Sequence, residues 1–323
     1  MATLGIESSA HTFGVGIVER GRVLANAKSM YPITDKGMIP AKVADHHIQT
    51  FKETIEQALY DSGLSMSDID SVGYTRGPGL GPCLRVGQLA ARTISERRSI
   101  PIFPVNHACA HIEITRRMAG LRSPLALYVS GGNSQIVARE KHGYHVLGET
   151  LDIGVGNMLD NFARSAKMVP AWGSSVAKSA IKGRYLPMPY TVKGMDFAFT
   201  GLLTSAAKML GRHSVNDISH SLQETAFSML CEATERALLL TRSRELAVCG
   251  GVAQSSRLRE MLSIMSRPHG IRFGFVDDQY NSDNGAMIAY VAELMRDSGS
   301  SFQLDKCTID QKYRIEEVEA LWR

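Results

Sequence analysis

Three early segments, Thr3 to Glu7, Phe13 to Glu19 and Val23 to Ala27, alternate apolar with polar residues or run as short apolar blocks, which predicts three strands. Ser8-Ser9-Ala10 and Arg20-Gly21 supply the turns between them. The pattern returns at Leu125 to Ser130, Gln135 to Arg139 and Tyr144 to Leu147, joined by Gly131-Gly132-Asn133 and Lys141-His142-Gly143. After the first meander, a helical period over His46 to Ser62 leads to a strand near Val72 to Thr75, a Gly/Pro loop from Gly77 to Pro82 and a helix from Val86. After the second, a helix over Ile218 to Leu240 leads to a strand at Leu246 to Cys249, a loop at Gly250 to Ala253 and a helix from Arg257. Each pass closes alike. Ile100 to Val105 runs into a helix from His107 to about Met118 with Asn106 as N-cap, and Ile271 to Val276 leads to a helix opened by Ser282-Asp283-Asn284-Gly285.

The chain is therefore written twice. The meanders start about 121 residues apart, from Leu4 to Leu125, whereas the closing helices are offset by 176, from Asn106 to Ser282. About 55 extra residues lie in the second pass, between Gly148 and about Ser214. A paired meander with crossover helices implies an α/β chain of the duplicated actin-like, sugar-kinase plan, with two domains around a cleft. The domains are expected at 1–120 and 121–323, the second carrying an insertion at about 149–214.

Composition narrows the class. With 323 residues, 44% of them hydrophobic and 21% charged, the chain can build large cores. No apolar run approaches a membrane span, and Met1-Ala-Thr-Leu-Gly-Ile enters a strand pattern without a signal peptide's regions, so no membrane association and a cytoplasmic location are expected. Five cysteines without a Cys-x-x-Cys pair suit reduced, mostly buried thiols. The net charge of +4 decides little by itself. Local basic clusters stand at Arg92, Arg97 and Arg98, at Arg116, Arg117 and Arg122, and at Lys178, Lys182, Arg184 and Lys193. Each is readable as a solvated face or as an RNA track.

The candidate chemistry begins with His107 and His111 in Asn106-His-Ala-Cys-Ala-His. Four apart on a helix, two imidazoles point the same way and can share one metal ion. Two ligands do not complete a site. The internal repeat sets the start of the His107 helix against the start of the Asp283 helix, so Asp283 is the expected third ligand, with a plain N-cap role shared with Ser282 as the alternative. Cys109 lies on another helix face and reads as a packed thiol.

Ten ordered motifs carry a resemblance: Gly5-Ile-Glu-Ser-Ser-Ala-His-Thr12, Gly77-Pro-Gly-Leu80, Leu84-Arg-Val-Gly87, Asn106-His-x-x-x-His111, Tyr128-Val-Ser-Gly-Gly-Asn133, Gly148-Glu-Thr-Leu-Asp152, Gly156-Asn-x-x-Asp160, Lys193-Gly-Met-Asp196, Cys249-Gly-Gly-Val252 and Asp283-Asn-Gly-Ala-Met287. Together they resemble the family of the KEOPS complex catalytic subunit and its bacterial relative TsaD, in the archaeal-type branch. The resemblance implies transfer of a threonylcarbamoyl group from threonylcarbamoyl-adenylate to the adenosine 3′ of the anticodon, in tRNAs reading codons that begin with A. It implies one divalent ion, iron or zinc, held by His107, His111, Asp283 and Tyr128, of which His107, His111 and Asp283 are implied to be catalytic. It implies an adenine nucleotide or the adenylate near Tyr128, Val129, Ser130, Gly131, Gly132, Asp160, Gly173 and Ser255. The turn at Ser130 is also readable as an ordinary hairpin, and Asp160 as a solvated helix residue. Partners implied are tRNA, a small atypical protein kinase that is fused in some relatives, and small accessory subunits.

Two departures stand out. Relatives of this kind carry Pro-Gly-Gly-Pro followed by Glu where this chain has Ala171-Trp172-Gly173-Ser174 and Ala177, and an Asn where it has Ser255. Two other functions compete. A metallopeptidase is disfavoured because His-Ala-Cys-Ala-His has no glutamate base between its histidines. A nucleotide-dependent scaffold of the same fold has no need of His107, His111 and Asp283 together.

Overall fold

In the computed structural model of the chain, which describes residues 1–32 and 38–322, strand β1 (Ala2–Glu7) is buried at all six positions. It lies between β2 (Thr12–Glu19), antiparallel, and β4 (Ile69–Gly77), parallel, with β3 (Arg22–Met30) and β5 (Ile102–Asn106) outside them. Helices α1 (Pro40–Ser62), α2 (Gly81–Arg98) and α3 (His107–Met118) complete the first pass. The second pass has β6 (Leu125–Val129), β7 (Ser134–Arg139), β8 (Tyr144–Glu149), α4 (Val155–Ser165), α5 (Gly173–Ala180), the two-residue strands β9 (Val192–Lys193) and β10 (Asp196–Phe197), and α6 (Thr200–Met209). It continues with α7 (Val215–Thr241), β11 (Glu245–Cys249), α8 (Ser256–Ser266), β12 (Arg272–Gly274), the short α9 (Asp278–Asn281) and α10 (Gly285–Asp297).

The two large sheets match strand for strand. The first runs β3-β2-β1-β4-β5, and the second, read in the same sense, runs β8-β7-β6-β11-β12. In both, the first two strands of the meander pair antiparallel and the two later strands join in parallel. The repeat legible in the sequence is thus a repeat of topology.

Packing groups the residues into two compact units: 1–117, 140–144 and 277–323 form one, and 118–139 with 145–276 form the other. The repeat divides the chain near residue 120, but α10 packs on β1, β2 and β4 and so joins the first sheet. Its backbone comes so close that side chains are excluded there. A Cβ on Gly5 would lie 2.1 Å from the Ala289 nitrogen, and one on Gly16 would lie 2.2 Å from the Ala286 nitrogen. Only glycine permits such an approach. The segment after α10 also stays with this unit, with Tyr74 donating to the Thr308 carbonyl, Asp310 N–H to that of Arg76, and Ala320 N–H to that of His142.

In the other unit, α7 packs against α5, α6 and α8. Leu127, Val129, Phe162, Phe197, Phe227 and Leu230 belong to its core. Each such side chain taken out of water contributes roughly 1.5 to 3 kcal/mol.

Several element ends differ from the sequence expectation. Helix α1 begins at Pro40, six residues before His46, because a proline at the first helical position needs no partner for a missing N–H. Helix α2 begins at Gly81, inside the expected Gly/Pro loop. The strand expected over Ile271 to Val276 pairs only at Arg272–Gly274. No described helix is long and apolar enough to cross a membrane.

Candidate metal centre

Helix α3 follows directly on the last residue of β5, Asn106, which makes that junction. Its side-chain oxygen accepts from Cys109 N–H at 3.0 Å, the N-cap bond expected from the sequence, while its amide donates to the Tyr313 carbonyl at 3.0 Å. His107 and His111 then project one turn apart, with ring centroids 4.8 Å apart and planes at 84°. Both are buried.

Asp283 completes the group. Asn284, not Ser282 or Asp283, caps α10 by accepting from Met287 N–H at 3.0 Å, which disposes of the plain-cap reading of Asp283. The Asp283 Oδ1 atom lies 3.4 Å from His107 Nε2 and 3.4 Å from His111 Nε2. One ligand-capable atom from each of the three residues falls within 4.8 Å of the others. Ligands about 2.1 Å from a tetrahedral ion stand roughly 3.4 Å from one another, so the two shorter spacings suit a shared divalent ion.

A fourth residue, Glu7, explains how the site is oriented. Its carboxylate is fully buried at the end of β1 and accepts from Ser9 N–H at 2.6 Å and from the Thr75 hydroxyl at 2.8 Å. His107 Nδ1 lies 2.9 Å from the same carboxylate. A carboxylate can only accept, so Nδ1 carries the proton and Nε2 presents its lone pair toward Asp283. Sequence reasoning gave Glu7 no role. The available signal was a lone carboxylate ending an otherwise apolar strand.

Electrostatics agree with a ligand set. Burial opposes ionisation of Asp283, but the hydrogen bonds and charges of His107 and His111 outweigh it and hold the carboxyl well below its usual range. Burial likewise raises Glu7, and His107 more than offsets it, leaving the group lowered. Burial lowers His111 against the pull of Asp283. Ionised carboxylates and a neutral imidazole are the forms that bind metals. Cys109 is not among the three grouped residues: its thiol donates to the Tyr144 hydroxyl at 3.4 Å, as a packed thiol does.

The remaining residues named from the sequence lie in the other compact unit. Tyr128 and Val129 end β6, both buried, and the Ser130 to Asn133 turn follows. That turn sits at the start of α4, where Gly156 N–H donates to the Ser130 carbonyl and Asn157 N–H to that of Gly131. A Cβ on Gly156 would lie 2.8 Å from the Gly131 Cα, so the closeness requires glycine. Gly250, at φ +92°, brings the loop after β11 against the Val129 carbonyl. Asp160 and Gly173 meet directly, the Gly173 N–H donating to Asp160 Oδ1 at 2.7 Å. Trp172, at the N-cap of α5, is exposed. Ser255 caps α8 through Leu258 N–H at 3.4 Å. The structure therefore groups Tyr128 to Gly132 with the start of α4, and joins Asp160 to Gly173.

The family model described as TsaD, tRNA N6-adenosine threonylcarbamoyltransferase, matches residues 21–290. The chain belongs to this family. A tRNA N6-adenosine threonylcarbamoyltransferase from Thermococcus kodakarensis is 45% identical over 325 residues, covering 100% of both chains. A probable bifunctional tRNA threonylcarbamoyladenosine biosynthesis protein from Thermoplasma acidophilum is 47% identical over 324 residues; the match covers 100% of this chain and 61% of that longer protein. Among solved structures, component A of Acidaminococcus fermentans (R)-2-hydroxyglutaryl-CoA dehydratase superposes with a TM-score of 0.59 at 15% identity, covering 90% of this chain and 97% of that one. With the duplicated sheets, that likeness places the family member in the actin-like α/β fold.

Proposed function

We propose that this chain transfers the threonylcarbamoyl group of threonylcarbamoyl-adenylate to the N6 amine of the adenosine 3′ of the anticodon, in tRNAs reading codons that begin with A. The observation that carries the reading is the convergence of His107, His111 and Asp283, oriented by Glu7, in a chain 45% identical over its full length to a tRNA N6-adenosine threonylcarbamoyltransferase. In the reaction the amine nitrogen attacks the acyl carbon, a C–N bond forms, the bond from that carbon to the phosphate oxygen breaks, AMP leaves and the amine gives up a proton.

The anhydride is already activated, so positioning and charge stabilisation are the main tasks. His107, His111 and Asp283 would hold one divalent ion, iron or zinc, with Tyr128 as the further ligand implied by the motif. When bound, the ion supplies Lewis-acid stabilisation of negative charge developing on oxygen. Glu7 keeps His107 in the tautomer that offers Nε2 and prevents the ring from rotating away. The N–H groups of Gly131 and Gly132 are suited to receive phosphate or carbonyl oxygen, whereas that of Ser130 donates to the Asn133 carbonyl at 2.8 Å and closes the turn. Asp160 and Gly173 are assigned to the nucleotide side, where the Trp172, Ala177 and Ser255 departures alter the contacts.

The bifunctional relative extends beyond the part that this chain matches. A small atypical kinase, fused or separate, and small accessory subunits are therefore included as partners in the proposal. The deciding experiment incubates the metal-loaded chain with threonylcarbamoyl-adenylate and unmodified tRNA, with and without those partners, and analyses nucleosides by mass spectrometry. Threonylcarbamoyladenosine with stoichiometric AMP is the expected product. Free AMP and threonine without modified nucleoside, in both arms, would replace transfer by hydrolysis.

A further inference from the structure

The positive charge of this chain is concentrated in one segment. Residues 149–214 contain eight Lys and Arg against four Asp and Glu, a net of +4 that equals the net charge of the whole chain. The other 257 residues balance, with 28 of each sign. All eight cations are exposed. Three of the four acids in the segment, Asp152, Asp160 and Asp196, are engaged by backbone N–H groups, of Phe199 and Thr200, of Gly173, and of Glu149. The cations are not similarly engaged. Apart from Arg164, which reaches Asn161, none of their side chains has a salt bridge or hydrogen bond among the described residues.

The fold gathers five of these cations. Lys178 is on α5, and the chain beyond it passes the start of α7, where a Cβ on Gly183 would lie 2.1 Å from the Asn216 carbonyl oxygen and Arg184 N–H donates to Asp217 Oδ1 at 2.7 Å. Lys208, on the last turn of α6, and Arg212 lead along the chain into the same helix start, just before the Ser214 N-cap. Lys178, Lys182, Arg184, Lys208 and Arg212 thus gather around one helix start; of the five, Arg184 has a carboxylate near it, Asp217, which its backbone N–H and its charge help to hold low, and none of the five side chains makes an ion pair among the described residues.

We propose that this basic face is the surface on which the chain binds the phosphate backbone of its RNA substrate. The inference rests on the tRNA reading above and adds the place of contact. Unpaired cations displace condensed counter-ions from a nucleic acid, whereas cations spent on internal carboxylates do not. Arg116, in another basic cluster, is spent in this way: its guanidinium is 2.6 Å from the buried Glu113 carboxylate.

The test compares the metal-loaded wild type with a variant combining Lys178→Gln, Lys182→Gln, Arg184→Gln and Arg212→Gln. A control carries Arg97→Gln with Arg98→Gln, two exposed residues at the end of α2. A further variant with Lys178→Arg and Lys182→Arg keeps the charge. The readouts are tRNA affinity across a salt series and single-turnover modification at saturating and subsaturating tRNA. The fourfold variant should bind tRNA at least about tenfold more weakly, with a salt slope reduced by roughly three, each lost phosphate contact lowering the slope by about 0.7 to 0.9. Its rate at saturating tRNA should equal that of the wild type. The control and the arginine variant should bind as the wild type does. Wild-type affinity and slope in the fourfold variant, beside a wild type that binds and modifies tRNA, would overturn the proposed surface and leave the transferase reading standing. A wild type that binds no tRNA even with the accessory partners present would remove both.

Discussion

His107 and Glu7 are 100 residues apart in the chain, and their side chains meet at 2.9 Å where β1 ends and α3 begins. The carboxylate accepts a hydrogen bond from Nδ1–H, which leaves Nε2 as the lone-pair atom beside Asp283. Glu7→Gln would keep the volume but can present an amide N–H to Nδ1, favouring the tautomer with its proton on the metal-facing nitrogen. Metal affinity in this variant should fall by about 10- to 100-fold, the range typical for loss of an orienting partner. Competition against a chelator of known affinity measures it. An unchanged dissociation constant would show that Glu7 only fills space.

Loss of a ligand should have a different signature. His111→Ala and Asp283→Ala should each leave less than about a tenth of an equivalent of metal after reconstitution, by elemental analysis. Asp283→Ala should still bind tRNA and fail to transfer. A His111→Ala protein with a full equivalent of metal would break the shared-site assignment.

The fold was legible because a duplicated strand-and-helix pattern is a long-range signal, and Leu4 and Leu125 do lie on equivalent strands, β1 and β6. The histidine pair was legible because helical spacing is local. Asp283 required the repeat, since nothing in Ser282-Asp283-Asn284-Gly285 distinguishes a ligand from a cap until Asn284 is seen making the capping bond. Glu7 was not legible in role. Its partner is a ring nitrogen on a helix 100 residues away, and no local pattern reports that meeting. The tie from Asn106 to the Tyr313 carbonyl was missed for the same reason. Arg116 shows the converse: it looked like part of an exposed basic cluster, and the buried Glu113 behind it is a tertiary fact.

The nucleotide side offers a gain-of-binding test. Ala177 lies on α5, five residues after the exposed Trp172. Restoring the family's acid with Ala177→Glu should tighten adenine-nucleotide binding by roughly two- to tenfold, the equivalent of one hydrogen bond worth about 0.5 to 1.5 kcal/mol. Calorimetry reads this directly. Unchanged affinity would mean that position 177 does not face the ligand in this chain.

His47 on α1 gives the chain an acid sensitivity separate from the metal ligands. Its ring is buried and its Nε2 atom lies 2.9 Å from the Ala10 carbonyl, which places the proton on that nitrogen. Burial pushes its pKa down to about 4, opposed by the Ala10 hydrogen bond and the Glu7 charge and reinforced by His46 and His11. Above pH 6.5 the ring is mostly neutral in both folded and unfolded chains, so it contributes little pH dependence. Between about 6.5 and 4 the unfolded chain takes up a proton that the folded chain refuses, and stability falls as pH falls. Below about 4 both states are mostly protonated and the effect levels off. From pH 7 to pH 4.5 the loss assigned to this one group is about 2 kcal/mol. In His47→Gln the amide can still donate to Ala10 but does not titrate, so this part of the acid destabilisation should disappear. Urea unfolding of both proteins at the two pH values measures the difference, and equal losses in wild type and variant would assign the acid sensitivity to other groups.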